Sequence, residues 1–222
     1  MPKTKEKKSK TSNKSISKNG IIFFVLIALF VLALIFDNSL FVLIQQFRIS
    51  LNLPFNFDFI ESYFFYVIIF VLSMVFILLD NKVKNKKKNI FRYIIGMVMS
   101  VIIMLILKYT VSRPRPIPSQ SNFLVEEKSF PSGHTTFTFS TLSFLKNWLG
   151  IIWLILSIIV ALERVWIGAH FPSDVIAAII LGYFIPILTT KIINKIRLKN
   201  NQNNRARRSV KKNKTRKSKT KK

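Results

Sequence analysis

Gly20–Phe36 reads GIIFFVLIALFVLALIF, seventeen residues with no charge and no proline. A helix needs about 20 apolar residues to cross roughly 30 Å of hydrocarbon, so this stretch reads as a membrane span. The chain then offers five more apolar blocks. They are Tyr63–Leu79, Tyr93–Leu107, Thr135–Leu145, Trp148–Leu162 and Val175–Thr190. Thr135–Leu145 is short and rich in Thr and Ser, which suits a helix buried among others. Asn38–Ser50 alternates apolar and polar residues at roughly helical spacing and reads as an interfacial helix lying on the membrane. The expected fold is all-α, a polytopic membrane helical bundle of about six spans.

Composition agrees. Of 222 residues half are hydrophobic and 13% aromatic, and 35 Lys+Arg face 9 Asp+Glu for a net charge of +26. Mean hydropathy is +0.35. High hydrophobicity with high basicity excludes a disordered chain and argues against an ordinary soluble domain. The expected organisation is a basic tail over 1–19, a membrane domain over 20–195 and a second basic tail over 196–222. Both tails carry too little apolar surface to offset chain entropy and read as disordered. The first apolar run has no small-residue cleavage site after it and reads as an uncleaved span. With six spans, 29 of the 35 cations fall on the side of the termini. The positive-inside rule then makes both termini cytoplasmic. The tails lack the interleaved aromatics of a single-strand binder, so they are read as touching anionic lipid rather than a specific nucleic acid.

The chain has no Cys and only two histidines, His134 and His170. Disulfides, thiolate catalysis and His- or Cys-rich metal clusters are therefore excluded. Both histidines lie in short stretches that the six-span layout brings to one membrane face, outside. Lys108 to Pro116 ends the third span, Ser129 to His134 opens the fourth, and Arg164 to Asp174 joins the fifth to the sixth. Together they suit a phosphoryl group, whose oxygens need donors such as the Arg fork and the Lys point charge. Ser132-Gly133-His134 opens a helix, so its backbone N–H groups can face an oxyanion. Two histidines beside phosphorus suggest one nucleophile and one acid. Asp174, four residues after His170, could hold one imidazole N–H and so favours His170 as nucleophile.

These motifs resemble the type 2 phosphatidic acid phosphatase (PAP2) family, which also includes glucose-6-phosphatase and soluble vanadium haloperoxidases. The family pattern is K-x6-R-P, then P-S-G-H, then S-R-x5-H-x3-D. Lys108 with Arg115-Pro116, Pro131-Ser132-Gly133-His134, and Arg164, His170 and Asp174 match it over about 67 residues. The resemblance implies a PAP2-like helical core and a metal-free phosphatase without cofactors. It implies that His170 becomes the phosphohistidine, that Asp174 orients it and that His134 is the general acid. Lys108, Arg115, Ser132, Gly133 and Arg164 would hold the phosphoryl oxygens. Glu163 stands where the family has Ser. Adjacent helical residues do not face each other, so Glu163 is expected to turn off the pocket and pair with Arg113 or Lys108 instead of Arg164.

The expected substrate is a lipid phosphate or diphosphate. The spans exclude the soluble branch, and a membrane-interface site disfavours small-sugar phosphates. The Lys-, Asn-, Ile- and Phe-heavy composition suggests an AT-rich bacterial genome, and undecaprenyl diphosphate is the favoured lipid. Phosphatidylglycerophosphate and phosphatidic acid are the alternatives. A phospholipid binder or transporter without turnover would need the cations but neither histidine.

Overall fold

The computed structural model describes residues 18–51, 63–118 and 128–219. They form helices α1 (Lys18–Leu51), α2 (Tyr63–Leu79), α3 (Lys86–Val111), α4 (Gly133–Phe139), α5 (Trp148–Trp166) and α6 (Pro172–Lys219), with a 3₁₀ turn at Leu142–Phe144. The only β pairing among the described residues is an isolated bridge between Pro114 and Lys128. Four helices, α1, α3, α5 and α6, are long and apolar enough to cross a membrane, and α2 is a shorter apolar helix. Their outward faces carry Phe24, Ile35, Ile151 and Leu162, each more than 60% exposed. Apolar surface on that scale needs lipid against it. The chain is an all-α, polytopic membrane protein.

Three stretches differ from expectation. Asn38–Ser50 is no separate interfacial helix but the second half of α1, which runs 34 residues, or ~51 Å. No Gly or Pro lies between Ile21 and Leu51 to interrupt it. Its polar positions find protein partners. Gln45 Nε2 donates to the carbonyls of Val165 (2.9 Å) and Trp166 (3.1 Å), in the last turn of α5, where carbonyls run short of partners within the helix. The second difference is the fourth span, whose α-helix has only seven residues before turns and the 3₁₀ segment take over. Its Thr and Ser side chains bond to the backbone of the same segment, Thr136 to Ser132 O and Ser140 to Thr136 O. Such local bonds compete with a longer helix. The segment is buried, as expected. The third is 196–219, where α6 continues as helix in place of the disordered tail expected there. From Ile187 to Lys219 the chain has no Gly or Pro, and Lys and Arg are good helix formers. Residues 1–17 of the N-terminal tail lie outside the described residues.

α6 is the central helix, packed against α1, α3 and α4. Close approach needs small residues, as is usual between membrane helices. A Cβ on Gly182 would meet Thr136 O at 2.5 Å and Phe139 Cβ at 2.8 Å, so this glycine lets α4 lie directly on α6. Phe65, Ile69, Tyr93, Met97, Phe144 and Trp153 fill the core between α2, α3 and α5. Trp153 satisfies its buried N–H on Thr138 O at 2.9 Å. At the end of α2, buried Asp80 accepts from Lys82 N, Lys146 N and Asn147 Nδ2. At the other end, Tyr66 meets His134. The segment from Gly133 to Lys146 thus runs alongside α2 from one end of the bundle to the other.

Candidate active site

α3 ends at Val111, with Ser112 in the left-handed conformation (φ 47°) turning the chain across the bundle. The chain then reaches the α5–α6 loop, where Ile117 N donates to Gly168 O at 3.1 Å. Gly168 has φ +84°, and a Cβ there would sit 2.2 Å from Ile117 Cδ1, so glycine is required. Ser129 closes the third side. Its N–H donates to Arg113 O at 2.8 Å and its hydroxyl to Pro114 O at 3.0 Å. The first two motif stretches are thereby locked together.

The third stretch joins through backbone bonds. Ser132 N donates to Asp174 O at 3.2 Å, and His170 N donates to Arg164 O at 3.1 Å. Asp174 sits in the first turn of α6, as the sequence suggests, and its Oδ2 accepts the Phe171 N–H at 2.9 Å. That is half of a capping box, so Asp174 is held by the helix start it stabilises. His170 Nδ1 lies 3.8 Å from the same Oδ2. A small rotation would close this to a hydrogen bond and direct the other ring nitrogen away from Asp174. Both side chains are buried.

Burial decides the charge state of His170. Desolvation is the largest influence and lowers its pKa from 6.5 to about 4, and the cations Lys108 and Arg115 act in the same direction. The Asp174 carboxylate opposes them without overcoming them. His170 is therefore a neutral imidazole at pH 7, the form with a lone pair to give.

The cations occupy different settings. The buried Lys108 ammonium donates to Lys128 O at 2.7 Å. Arg164, 2% exposed, does not stand apart from Glu163: its Nε and Nη2 each bond a carboxylate oxygen at 2.5 Å. The expected avoidance of this neighbour is thus corrected. Backbone directions diverge, but both side chains are long, and the guanidinium edge matches a carboxylate in a bidentate fork. Where both groups are buried, leaving the charges apart would cost several kcal/mol. Arg113, the other partner expected for Glu163, is engaged elsewhere.

Ser132 is fully buried and its hydroxyl lies 3.0 Å from Thr135 Oγ1. His134 is half-buried at the second position of α4. Its Nδ1 is 3.2 Å from the Tyr66 hydroxyl, and the two rings lie 4.6 Å apart. Gly133 backs onto that same hydroxyl, 3.1 Å from where its Cβ would be. Among the described residues, no three His, Asp or Glu side chains converge as a metal site would need.

Two residues here escape the sequence reading, Tyr66 and Asp37, and Arg113, expected only as a partner for Glu163, takes a different role. Arg113 Nη1 donates to Asp174 Oδ1 (2.9 Å) and to Ser173 Oγ, while Nη2 donates to Asp37 Oδ2 at 2.9 Å. Asp37, buried in α1, also accepts the Ser173 N–H at 2.9 Å and the Ser173 hydroxyl. The Arg113 guanidinium lies over the Phe171 ring at 3.9 Å. A chain of charges thus runs Asp37–Arg113–Asp174 to His170. The available signal was Asp37 itself, an acid inside a membrane helix, which is costly unless it has a partner.

Asp37→Asn removes one of the two negative charges that hold Arg113, and the change travels to Asp174. We expect a fall in kcat of about 10–100-fold with KM little changed, because Asp37 is a positioning residue. Phosphate-release kinetics of the purified variant check this, and a matching rise in KM would contradict it.

The sequence model of the PAP2 superfamily matches residues 89–198, the segment that holds all three motif stretches. Residues 89–198 are thus assigned to the PAP2 superfamily. The chain is 30% identical over 118 residues to an undecaprenyl-diphosphatase of Sulfolobus acidocaldarius, covering 49% of this chain and 57% of that protein. It is 33% identical over 132 residues to the bacitracin transport permease protein BcrC of Bacillus licheniformis, covering 56% of this chain and 64% of that one. The matches thus span less than two thirds of these relatives' length. Among solved structures, a transmembrane PAP2 type phosphatidylglycerolphosphate phosphatase from Bacillus subtilis shares the fold. The TM-score is 0.54 at 19% identity, over 79% of this chain and 94% of that one.

Proposed function

We propose that this protein is a metal-independent lipid phosphate or diphosphate phosphatase working through a phosphohistidine. The observation that carries this reading is the buried His170, 3.8 Å from Asp174 Oδ2, with burial and the cations Lys108 and Arg115 holding its pKa low. The lipid head would enter with its phosphoryl oxygens on Lys108, Arg115, Arg164 and the N–H groups of Ser132 and Gly133. Asp174 holds the Nδ1 proton, and Nε2 of His170 attacks phosphorus in line as the P–O bond to the leaving group breaks. His134 protonates the departing oxygen. The same residue, now a base, takes a proton from the water that cleaves the N–P bond and frees phosphate. The positive field of the site stabilises charge spread over the equatorial oxygens, the usual source of rate in phosphoryl transfer.

The favoured substrate is undecaprenyl diphosphate, supported by the name of the Sulfolobus relative, with the site on the extracytoplasmic side by the charge partition. The phosphatidylglycerolphosphate phosphatase supports only the fold. Both termini would be cytoplasmic, and the basic ends would touch anionic lipid.

Phosphate release in detergent with EDTA present tests the reading. Undecaprenyl diphosphate should turn over with a higher kcat/KM than phosphatidylglycerophosphate or phosphatidic acid. Activity that EDTA abolishes and a divalent cation restores would contradict it, and binding without turnover would leave a lipid binder instead.

The charge state is directly measurable because there are only two histidines. In a His134→Gln variant the remaining imidazole can be titrated by ¹⁵N NMR. A lowered folded pKa means that His170 stays neutral as pH falls through 6.5 and protonates only near 4. Native stability should therefore decline with acidification from about 6.5 to about 4, since the unfolded chain binds that proton first. A midpoint near 6.5 would contradict the burial argument.

A further inference from the structure

At the end of α3 away from Lys108, a second cluster of donors surrounds a cleft of ≈ 560 Å³. Its walls are Lys88 and Arg92 from α3 and Asn194, Arg197, Leu198 and Asn201 from α6. Arg92 and Lys108 are sixteen residues apart on one helix, or ~24 Å, so the cleft lies at the opposite membrane interface. The proposed phosphatase reaction uses none of these residues.

Cations at a span end usually only fix orientation, and exposed Lys84 and Lys87 do no more than that. This cluster differs in three respects. First, its cations converge: Arg92 and Arg197 are both close enough to repel Lys88. Second, the chain cannot neutralise them from within these helices. No Asp or Glu occurs between Asp80 and Glu126 or anywhere after Asp174. Third, the guanidinium is held for use. Arg92 Nη2 donates to the Asn194 side chain, while Arg92 Nε is buried with no hydrogen-bond partner among the described residues. A buried donor left unsatisfied is costly, more so when charged, so the fold keeps a donor it does not itself use.

We propose that this cleft binds a phosphoryl anion at the membrane face opposite the active site. Two guanidiniums, one ammonium and the Asn201 amide match a tetrahedral anion with three or four acceptor oxygens. The group would be a phosphate diester carried by a lipid headgroup, whose glycerol and acyl carbons would lie toward Leu198, or free inorganic phosphate. Basic pockets between membrane helices are a general form of headgroup site.

The test uses the full chain in neutral detergent, with thermal stability followed during titration with phosphatidylglycerol, phosphatidylcholine or inorganic phosphate. Phosphatidylglycerol carries only a phosphodiester, so it offers His170 no terminal phosphate to remove. The Lys88→Gln/Arg197→Gln variant keeps the Arg92–Asn194 contact and leaves the active-site end untouched. We expect it to raise the half-saturating phosphatidylglycerol concentration at least fivefold, to leave phosphatidylcholine without effect and to keep phosphate-release turnover unchanged. Arg92→Gln should do the same. A variant-sensitive shift with inorganic phosphate alone would identify free phosphate as the source. Shifts that both variants leave unchanged, with either ligand, would overturn the site. Turnover is read separately, so loss of this site and failure of the phosphatase reading cannot be confused.

Discussion

His170→Ala is expected to lower turnover by about 10⁴-fold or more while the protein still folds and inserts. A nucleophile in a triad-like array has no substitute, and its loss leaves only binding and electrostatics to assist water. Such a loss corresponds to about 5.5 kcal/mol of transition-state stabilisation. The protein should survive, because His170 is a neutral loop residue whose Nδ1, among the described residues, makes no hydrogen bond and approaches Asp174 no closer than 3.8 Å. Steady-state phosphate release and a detergent melting curve, run together, measure both halves. Undiminished turnover in a folded His170→Ala protein would place the nucleophile elsewhere.

His134→Ala should cost about 10²–10⁴-fold, and the loss should depend on the leaving group. Phosphatidic acid must release an alkoxide, which needs a proton as it departs. A polyprenyl diphosphate releases a phosphate oxygen, a far weaker base. Phosphatidic acid turnover should therefore suffer at least ten times more than diphosphate turnover. Equal losses on the two would mean that His134 positions the phosphate without protonating anything. The Tyr66 hydroxyl beside Nδ1 adds a control, since Tyr66→Phe removes that contact and should weaken the same discrimination.

The helices were largely legible in the sequence because uncharged runs such as Gly20–Phe36 leave a chain in lipid little choice but helix. Their ends were less so. α1 and α6 run beyond their apolar cores because polar residues without Gly or Pro continue a helix readily, and a hydrophobicity pattern reports burial in lipid rather than helix length. The eight site residues read from sequence lie in three stretches that the fold does bring to one end of the bundle. Short spacings carry that information: Asp174 must lie near His170 when four residues separate them across a helix start. Asp37 could not be found that way. It is 76 residues from Arg113, and only the packing of α1 on α6 makes them partners. Glu163 shows the opposite error. Backbone direction argues against its neighbour Arg164 as a partner, yet two long side chains in a buried setting fold into one fork.

A covalent phosphate on His170 would be caught by a rapid denaturing quench with ³²P-labelled lipid substrate. During turnover acid-labile, base-stable label is expected on the protein, located by peptide mapping to His170. The label should be absent from His170→Ala, and it should accumulate whenever attack by water is slower than phosphoryl transfer. Label on any other residue would rule out His170 as the nucleophile, as would turnover by direct attack of water with no protein-bound phosphate at any quench time.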